Sequence, residues 1–328
     1  MNSKNLRLII YGAGAIGGAV GGHLARTGSD VALIGRPGHM KAIREDGLRF
    51  ITPTGTHVLR LPAVTAPDQI DFGPDDVVLL CVKGQDTDEA LRELRRVTDN
   101  VPIFCFQNGV RNEEIAAGYF PKVYGVKVSL AATYLTDGEV TARSDPPGVL
   151  IIGRYPSGAD DLAHAVATKL RVAGFLVLVT PDVMPYKWGK LMVNLANAVN
   201  GITDGVEGDD YRRVARAAKK EAREILAEAG IRWISNAELA LEWPESAVQP
   251  LSIPDSKIRS STLQSLARRQ GTVETDFFNG EIVQTARRLG KKAPINEMLV
   301  RITQEMAAGH ELPGKYTPEQ LCQLLGLD

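Results

Sequence analysis

The stretch Leu6-Arg7-Leu8-Ile9-Ile10-Tyr11-Gly12-Ala13-Gly14-Ala15-Ile16-Gly17-Gly18-Ala19-Val20-Gly21-Gly22 decides the fold. Its first six residues form a short apolar run, the pattern of a buried strand. Ile16 to Thr27 reads as a helix, and Gly28 stops it. Between strand and helix lies Gly12-Ala-Gly-Ala-Ile-Gly17, in the context that the dinucleotide-binding fingerprint requires. Gly12 permits the tight turn, Gly14 lets backbone approach a pyrophosphate, and Gly17 lets helix pack on strand. The first helical turn, with Ala15 and Ile16, then directs N–H groups and partial positive charge toward the phosphates. With Lys4 and Arg7 ahead of it, the segment has the outline of a signal peptide. Six glycines and the lack of a small-residue cleavage site argue instead for a backbone role.

Outward from this unit the same rhythm continues. Val31–Ile34, Asp76–Val82 and Ile103–Phe106 read as further core strands, with a helix over Thr87–Thr98 and a hairpin around Thr52-Pro-Thr-Gly55. Strand alternating with helix means βαβ units and a parallel sheet. Later strands are expected at Val123–Val128, Leu130–Thr136, Val149–Gly153 and Leu176–Thr180. After Thr180 the pattern turns helical. Asp182 can cap a helix with Pro185 in its first turn. Further helices are expected over Asp209–Ala229, Arg259–Arg269, Thr272–Leu289 and Pro294–Ala308, with Gly290 and Gly309 at C-cap positions. Thr317-Pro-Glu-Gln320 opens a last short helix with a capping box. The expected architecture is an α/β Rossmann-type N-terminal domain over residues 1–180 and an all-helical domain over 181–328, the latter serving substrate and dimerisation. A homodimer fits that division of labour.

Composition narrows the function. The chain has 328 residues, 44% hydrophobic and 23% charged, with a formal net charge of −1. That is a globular balance without the basic footprint of a nucleic-acid binder. Apart from the glycine-rich start, no apolar run reaches the roughly 18 residues of a membrane span. The expectation is a soluble, cytoplasmic protein with no nucleic-acid or membrane partner. Cys81, Cys105 and Cys322 are too few and scattered for a disulfide framework, and the five His show no metal-ligand spacing.

The polar residues at strand ends and on one helix carry the chemistry. At the end of the second strand, an NAD site wants a carboxylate for the ribose hydroxyl; Gly35-Arg36 stands there instead. A guanidinium favours the 2′-phosphate, so the expected cofactor is NADPH. Lys83 and Asn108 follow two further strands, where open α/β sheets bind ligands; Asn108 offers an amide near the nicotinamide. Asn-Gly is also an ordinary turn dipeptide. In Trp188-Gly-Lys190-Leu-Met-Val-Asn194-Leu-Ala-Asn197, helical spacing puts Asn194 about 40° and Asn197 about −20° from Lys190, on one face. A contact between domains would also use such a face. Ser260 and Ser261 offer hydroxyls to a carboxylate, and Glu274 sits in a first helical turn, where charge complementarity is the plain alternative.

Taken together these motifs resemble the ketopantoate reductase family over nearly the whole chain. The resemblance rests on the GxGxxG, Arg36, Val-Lys83, Gln-Asn108-Gly, the Trp-x-Lys190-Leu-x-x-Asn194 helix, Ser-Ser261-x-x-Gln, Glu274 and Asn279-Gly280. It implies a Rossmann domain joined to a helical domain, a site in the cleft between them, and NADPH-dependent reduction of a small 2-keto acid to a 2-hydroxy acid. It further implies that Lys190 is the general acid and that Asn194 positions the Lys or the substrate. Ser261 would bind the carboxylate, with Asn108 and Asn197 beside the substrate, and Glu274 would take a substrate hydroxyl next to the cofactor. One departure stands out. Where pantoate-forming members read Asn-Pro-Leu-Thr after the Lys helix, this chain reads Asn197-Ala-Val-Asn200-Gly-Ile-Thr203. Three readings remain: a 2-dehydropantoate 2-reductase of pantothenate biosynthesis, a reductase of a bulkier 2-keto acid, and a non-catalytic NADP(H) sensor. A sensor needs no proton donor at Lys190.

Overall fold

In a computed structural model, residues 6–247, 251–253 and 260–327 are described. The expected opening is present: strand β1 (Arg7–Tyr11), helix α1 (Ala15–Arg26) and strand β2 (Asp30–Ile34), paired in parallel with β1. Helix α2 (Pro37–Asp46) follows, then the expected hairpin of β3 (Leu48–Thr52) and β4 (Gly55–Leu59), closed by the Thr52–Gly55 pair. The chain continues through β5 (Ala63–Val64), β6 (Asp76–Leu80), α3 (Thr87–Arg95), β7 (Ile103–Cys105) and α4 (Asn112–Ala117). Where two strands were expected over 123–136, one long strand β8 (Val123–Leu130) and a short β9 (Ala132–Thr133) form. Then come β10 (Glu139–Ala142), β11 (Ser144–Asp145), β12 (Gly148–Arg154), α5 (Asp161–Val172) and β13 (Leu176–Val179).

Eight strands make one sheet in the order β13-β12-β8-β7-β6-β1-β2-β5. Every neighbouring pair is parallel except β12 with β8. The order reverses at β1 and β6, so their carboxyl ends flank a topological switch point, where such sheets bind ligands. The central strands are buried on both faces, and alternate residues feed two cores. Leu8 and Ile10 join the layer with α1 and α5; Ile9 and Tyr11 join Leu91 and Leu94 of α3. A four-stranded sheet, β4-β3-β10-β9, packs on α1. Two of the six glycines exist for that contact. A Cβ on Gly18 would lie 2.7 Å from Val140, and one on Gly22 2.8 Å from Phe50.

The remainder comprises α6 (Met184–Asn194), α7 (Ala196–Ile202), α8 (Asp209–Glu228), α9 (Asn236–Glu242), β14 (Leu251–Ser252), α10 (Ser261–Ala267), α11 (Asn279–Arg288), α12 (Pro294–Ala308) and α13 (Pro318–Leu325). Several expectations are met, including the Thr317–Gln320 capping box and a left-handed Gly290 after α11. Others are corrected. The region after Thr180 is not wholly helical, because β14 pairs antiparallel with β11. The first turn of α6 bonds back to the Val183 carbonyl, so Asp182 is not its cap. Gly309 does cap α12, and the left-handed residue there is the following His310. The helix expected over 272–289 is a short 3-10 turn, Glu274–Phe277, followed by α11. Arg259, at the start of the expected 259–269 helix, lies outside the described residues; the helix itself is α10.

The chain divides into two compact units. One is Met1–Lys187 with Ser235–Ile253, and the other is Trp188–Ile234 with Pro254–Asp328. The division therefore falls inside α6, whereas the pattern change in the sequence sits at Thr180. In the second unit Val199, Ile202, Val214, Ala218, Leu299 and Leu321 build a core shared by α7, α8, α12 and α13.

Candidate active site

In the first unit, four of the expected positions lie at the carboxyl ends of adjacent strands. Gly12 ends β1 with a φ of 104°, where a Cβ would meet the Val82 nitrogen at 2.5 Å. The turn thus needs glycine twice over, for its backbone angle and for the chain passing behind it. Gly17 is as constrained: a Cβ would lie 2.3 Å from the Gly12 carbonyl and 2.8 Å from Ile10. Gly14 differs. It is the N-cap of α1, with no side-chain cap and no acidic residue in the first turn, and a Cβ there would have nothing within 4 Å. The first-turn N–H groups of Ala15, Ile16 and Gly17 lack intrahelical partners by helix geometry. Open space in front of a glycine N-cap, rimmed by such donors, fits a pyrophosphate.

Arg36 follows β2 as the exposed N-cap of α2, ahead of Pro37. Lys83 follows β6 and leads into a 3-10 turn, Gly84–Asp86. Partial desolvation raises the Asp86 carboxyl above its ordinary range, and Lys83 and Arg36 both pull it down. The two cations therefore act on one place at the rim. The residues present fit a nicotinamide dinucleotide: a glycine cradle for its phosphates, and a cation where a carboxylate would select the ribose hydroxyl.

Asn108 follows β7, half-buried, and its carbonyl accepts from Asn112 Nδ2 at 2.8 Å. Behind it is a buried polar network that reading along the chain did not assemble. Gln107 Nε2 donates to the Val82 carbonyl at 2.9 Å and to Thr87 Oγ1 at 2.7 Å. Thr87 in turn donates to Asn112 Oδ1 at 2.9 Å. Lys187 Nζ donates to the Gln107 carbonyl at 3.1 Å and to Glu113 Oε1, an ion pair with side chains 2% and 0% exposed. Glu113 and Lys187 are 74 residues apart, so no local pattern joins them. The only trace in the sequence is a second lysine one helical turn before Lys190.

The second unit holds the other expected residues. Lys190 lies in α6, half-buried by exposure, and burial pushes its pKa below the ordinary lysine value. Asn194 ends the helix, buried, with no partner for its Nδ2 among the described residues. Asn197 lies beyond the end of that helix. The helix breaks at Leu195, whose carbonyl accepts from Asn279 Nδ2 at 3.2 Å, and Asn197 belongs to α7. Gly201 of α7 packs on Thr262 of α10, where a Cβ would come within 2.9 Å. The two serines divide their tasks. Ser260 caps α10 by accepting from the Leu263 N–H at 3.2 Å, while Ser261 Oγ is buried with no partner among the described residues. Glu274 is buried at the start of its 3-10 turn, which packs against α10 and α12. Unpaired buried polar atoms at Asn194 and Ser261 cost free energy unless a ligand or water meets them.

Comparison with known proteins finds relatives along most of the chain. The sequence model of "Ketopantoate reductase PanE/ApbA" matches residues 8–157, and that of its C-terminal part matches residues 182–307. A 2-dehydropantoate 2-reductase of Pyrococcus horikoshii is 31% identical over 90% of this chain and 95% of its own length. One from Archaeoglobus fulgidus is 29% identical over 92% and 98%. Among solved structures, a PanE/ApbA family ketopantoate reductase from Ralstonia eutropha JMP134 is 28% identical and superposes with a TM-score of 0.78 over 93% of this chain and 99% of that one. The ternary structure of D-mandelate dehydrogenase with NADH and anilino(oxo)acetate also reaches 0.78, over 93% of this chain and 99% of that one, at 19% identity, a likeness of fold. With both family segments matched in order along one chain, and a relative aligned over nearly its full length, this protein belongs to the ketopantoate reductase family.

Proposed function

We propose that this protein reduces 2-dehydropantoate to the 2-hydroxy acid with NADPH. The observation that carries the reading is Lys190, an ammonium on a helix whose next polar residue, Asn194, keeps a buried amide nitrogen unpaired. Bound NADPH supplies a hydride to the keto carbon. Lys190 Nζ stabilises the negative charge that develops on the carbonyl oxygen and gives that oxygen its proton, leaving a neutral amine that solvent reprotonates. Ser261 Oγ and Asn194 Nδ2 donate to the substrate's oxygens, and Glu274 accepts from a substrate hydroxyl. Asn197 is assigned to the substrate, and Asn108 offers its amide to the nicotinamide and the substrate. Gly12, Gly14 and Gly17, with the N–H groups of Ala15 and Ile16, hold the pyrophosphate. Arg36 pairs with the 2′-phosphate, and Lys83 adds charge at the same rim.

The family, the relatives named 2-dehydropantoate 2-reductase and the absence of a carboxylate after β2 support this reading. NADPH oxidation followed across a panel of 2-keto acids tests it. The highest kcat/KM is expected with 2-dehydropantoate. A bulkier branched or aromatic keto acid preferred over it would reassign the substrate, and NADPH binding without turnover of any of them would make the protein a sensor.

A further inference from the structure

A cation sits in the first unit where no reacting group is expected. Lys187 is held over a flat spot on the large sheet. Gly125 of β8 and Gly153 of β12 are register partners there, and neither has room for a side chain. A Cβ on Gly125 would lie 2.9 Å from Val183 and 3.5 Å from Glu113; one on Gly153 would lie 2.5 Å from the Thr180 carbonyl. The paired glycines let the start of α6 and the Glu113 side chain settle onto the strands. Lys187 Nζ then spends its donors on Glu113, on the Gln107 carbonyl at 3.1 Å and, at 3.5 Å, on the Val126 carbonyl. Glu113 Oε2 has no partner among the described residues, and burial raises the Glu113 carboxyl while Lys187 opposes that rise. Such a pair is expensive to bury and contributes little net stability over apolar residues of the same size. Its use lies in what it holds.

It holds one peptide. The Gln107 carbonyl takes the ammonium from one side, while the Gln107 side chain ties the same residue to Val82 and Thr87. Thr87 passes to Asn112, which returns to the Asn108 carbonyl. Asn108 is thus clamped from both ends, in front of Gly109 with its φ of 87°. We infer that Lys187 and Glu113 are positioning residues that fix the Gln107–Asn108–Gly109 strand end, and through it the Asn108 amide, for the reaction at the nicotinamide. This rests on the role given to Asn108 above.

The test uses Lys187→Met in the full-length protein, with Glu113→Gln/Lys187→Met as the second variant should the lone carboxylate prevent folding. Either change removes the donor to the Gln107 carbonyl. Amide hydrogen exchange over residues 104–112 is expected to quicken. The kcat/KM for the keto acid should fall by about ten- to hundredfold, the cost of a small misplacement. NADPH affinity should stay within about twofold, because the glycine loop is untouched. In an Asn108→Ala background, the same Lys187 change should alter kcat/KM by less than about twofold, since the two residues act in series. Full additivity with Asn108→Ala, or unchanged exchange over 104–112, would overturn the inference. A wild-type protein that reduces no 2-keto acid defeats the proposed function instead, and the exchange measurement still decides whether the pair holds the segment.

Discussion

Gly14 and Gly17 lie three residues apart in one motif, yet the structure assigns them opposite sensitivities. At Gly14 the backbone has φ −80°, which alanine adopts freely, and a Cβ meets nothing within 4 Å. Gly14→Ala removes backbone freedom from the unfolded chain, a gain of about 0.4–1 kcal/mol, and weakens the N-cap by a similar amount. Its melting temperature should therefore stay close to wild type. The methyl group, however, fills the space left for a pyrophosphate. Losing charge-assisted hydrogen bonds worth about 1.5–3 kcal/mol raises the NADPH dissociation constant by roughly ten- to hundredfold or more. At Gly17 a Cβ would stand 2.3 Å from the Gly12 carbonyl oxygen, so strand and helix must separate. Overpacking of this kind costs about 1–3 kcal/mol, or a fall in melting temperature of roughly 2–12 °C at about 2–4 °C per kcal/mol. Thermal melts without ligand, paired with fluorescence titration of NADPH, read both quantities. A Gly14→Ala protein that binds NADPH like wild type, or a Gly17→Ala protein that melts at the wild-type temperature, would refute the reasoning.

Three further outcomes concern charge. Lys190→Ala should lower kcat by about 10²–10⁴ while leaving NADPH affinity and melting temperature nearly unchanged, as steady-state kinetics and melts would establish. Because the reaction needs the ammonium and burial lowers its pKa, wild-type kcat should decline with rising pH through a midpoint below the ordinary 10.5; a limb at or above that value would contradict the burial argument. Arg36→Ala should weaken NADPH by about ten- to hundredfold and leave NADH almost unaffected, and equal wild-type affinities for the two cofactors would remove its assigned role.

The amino-acid sequence by itself determined the elements whose causes are local. A six-residue apolar run, three spaced glycines and a helix stopped by Gly28 specify β1-α1-β2 without help from the rest of the chain. The hairpin at Thr52–Gly55 and the Thr317 capping box are likewise written within a few residues. So are the strand-end positions of Arg36, Lys83 and Asn108, because the carboxyl end of a strand follows from the strand. Tertiary structure decided what depends on partners distant in sequence. The helix carrying Lys190 ends at Asn194 and α7 begins at Ala196, with Asn279 reaching the Leu195 carbonyl between them, a junction that helical periodicity does not show. β14 pairs with a strand more than a hundred residues earlier, which a helical second half did not foretell. Only burial distinguishes Ser260, occupied as a cap, from Ser261, left unpaired. The Glu113–Lys187 pair is the extreme case. Each residue taken alone reads as an ordinary charge on a helix, and the pairing becomes visible only when paired glycines of the sheet admit the Glu113 side chain and the segment leading into α6 to the same buried place.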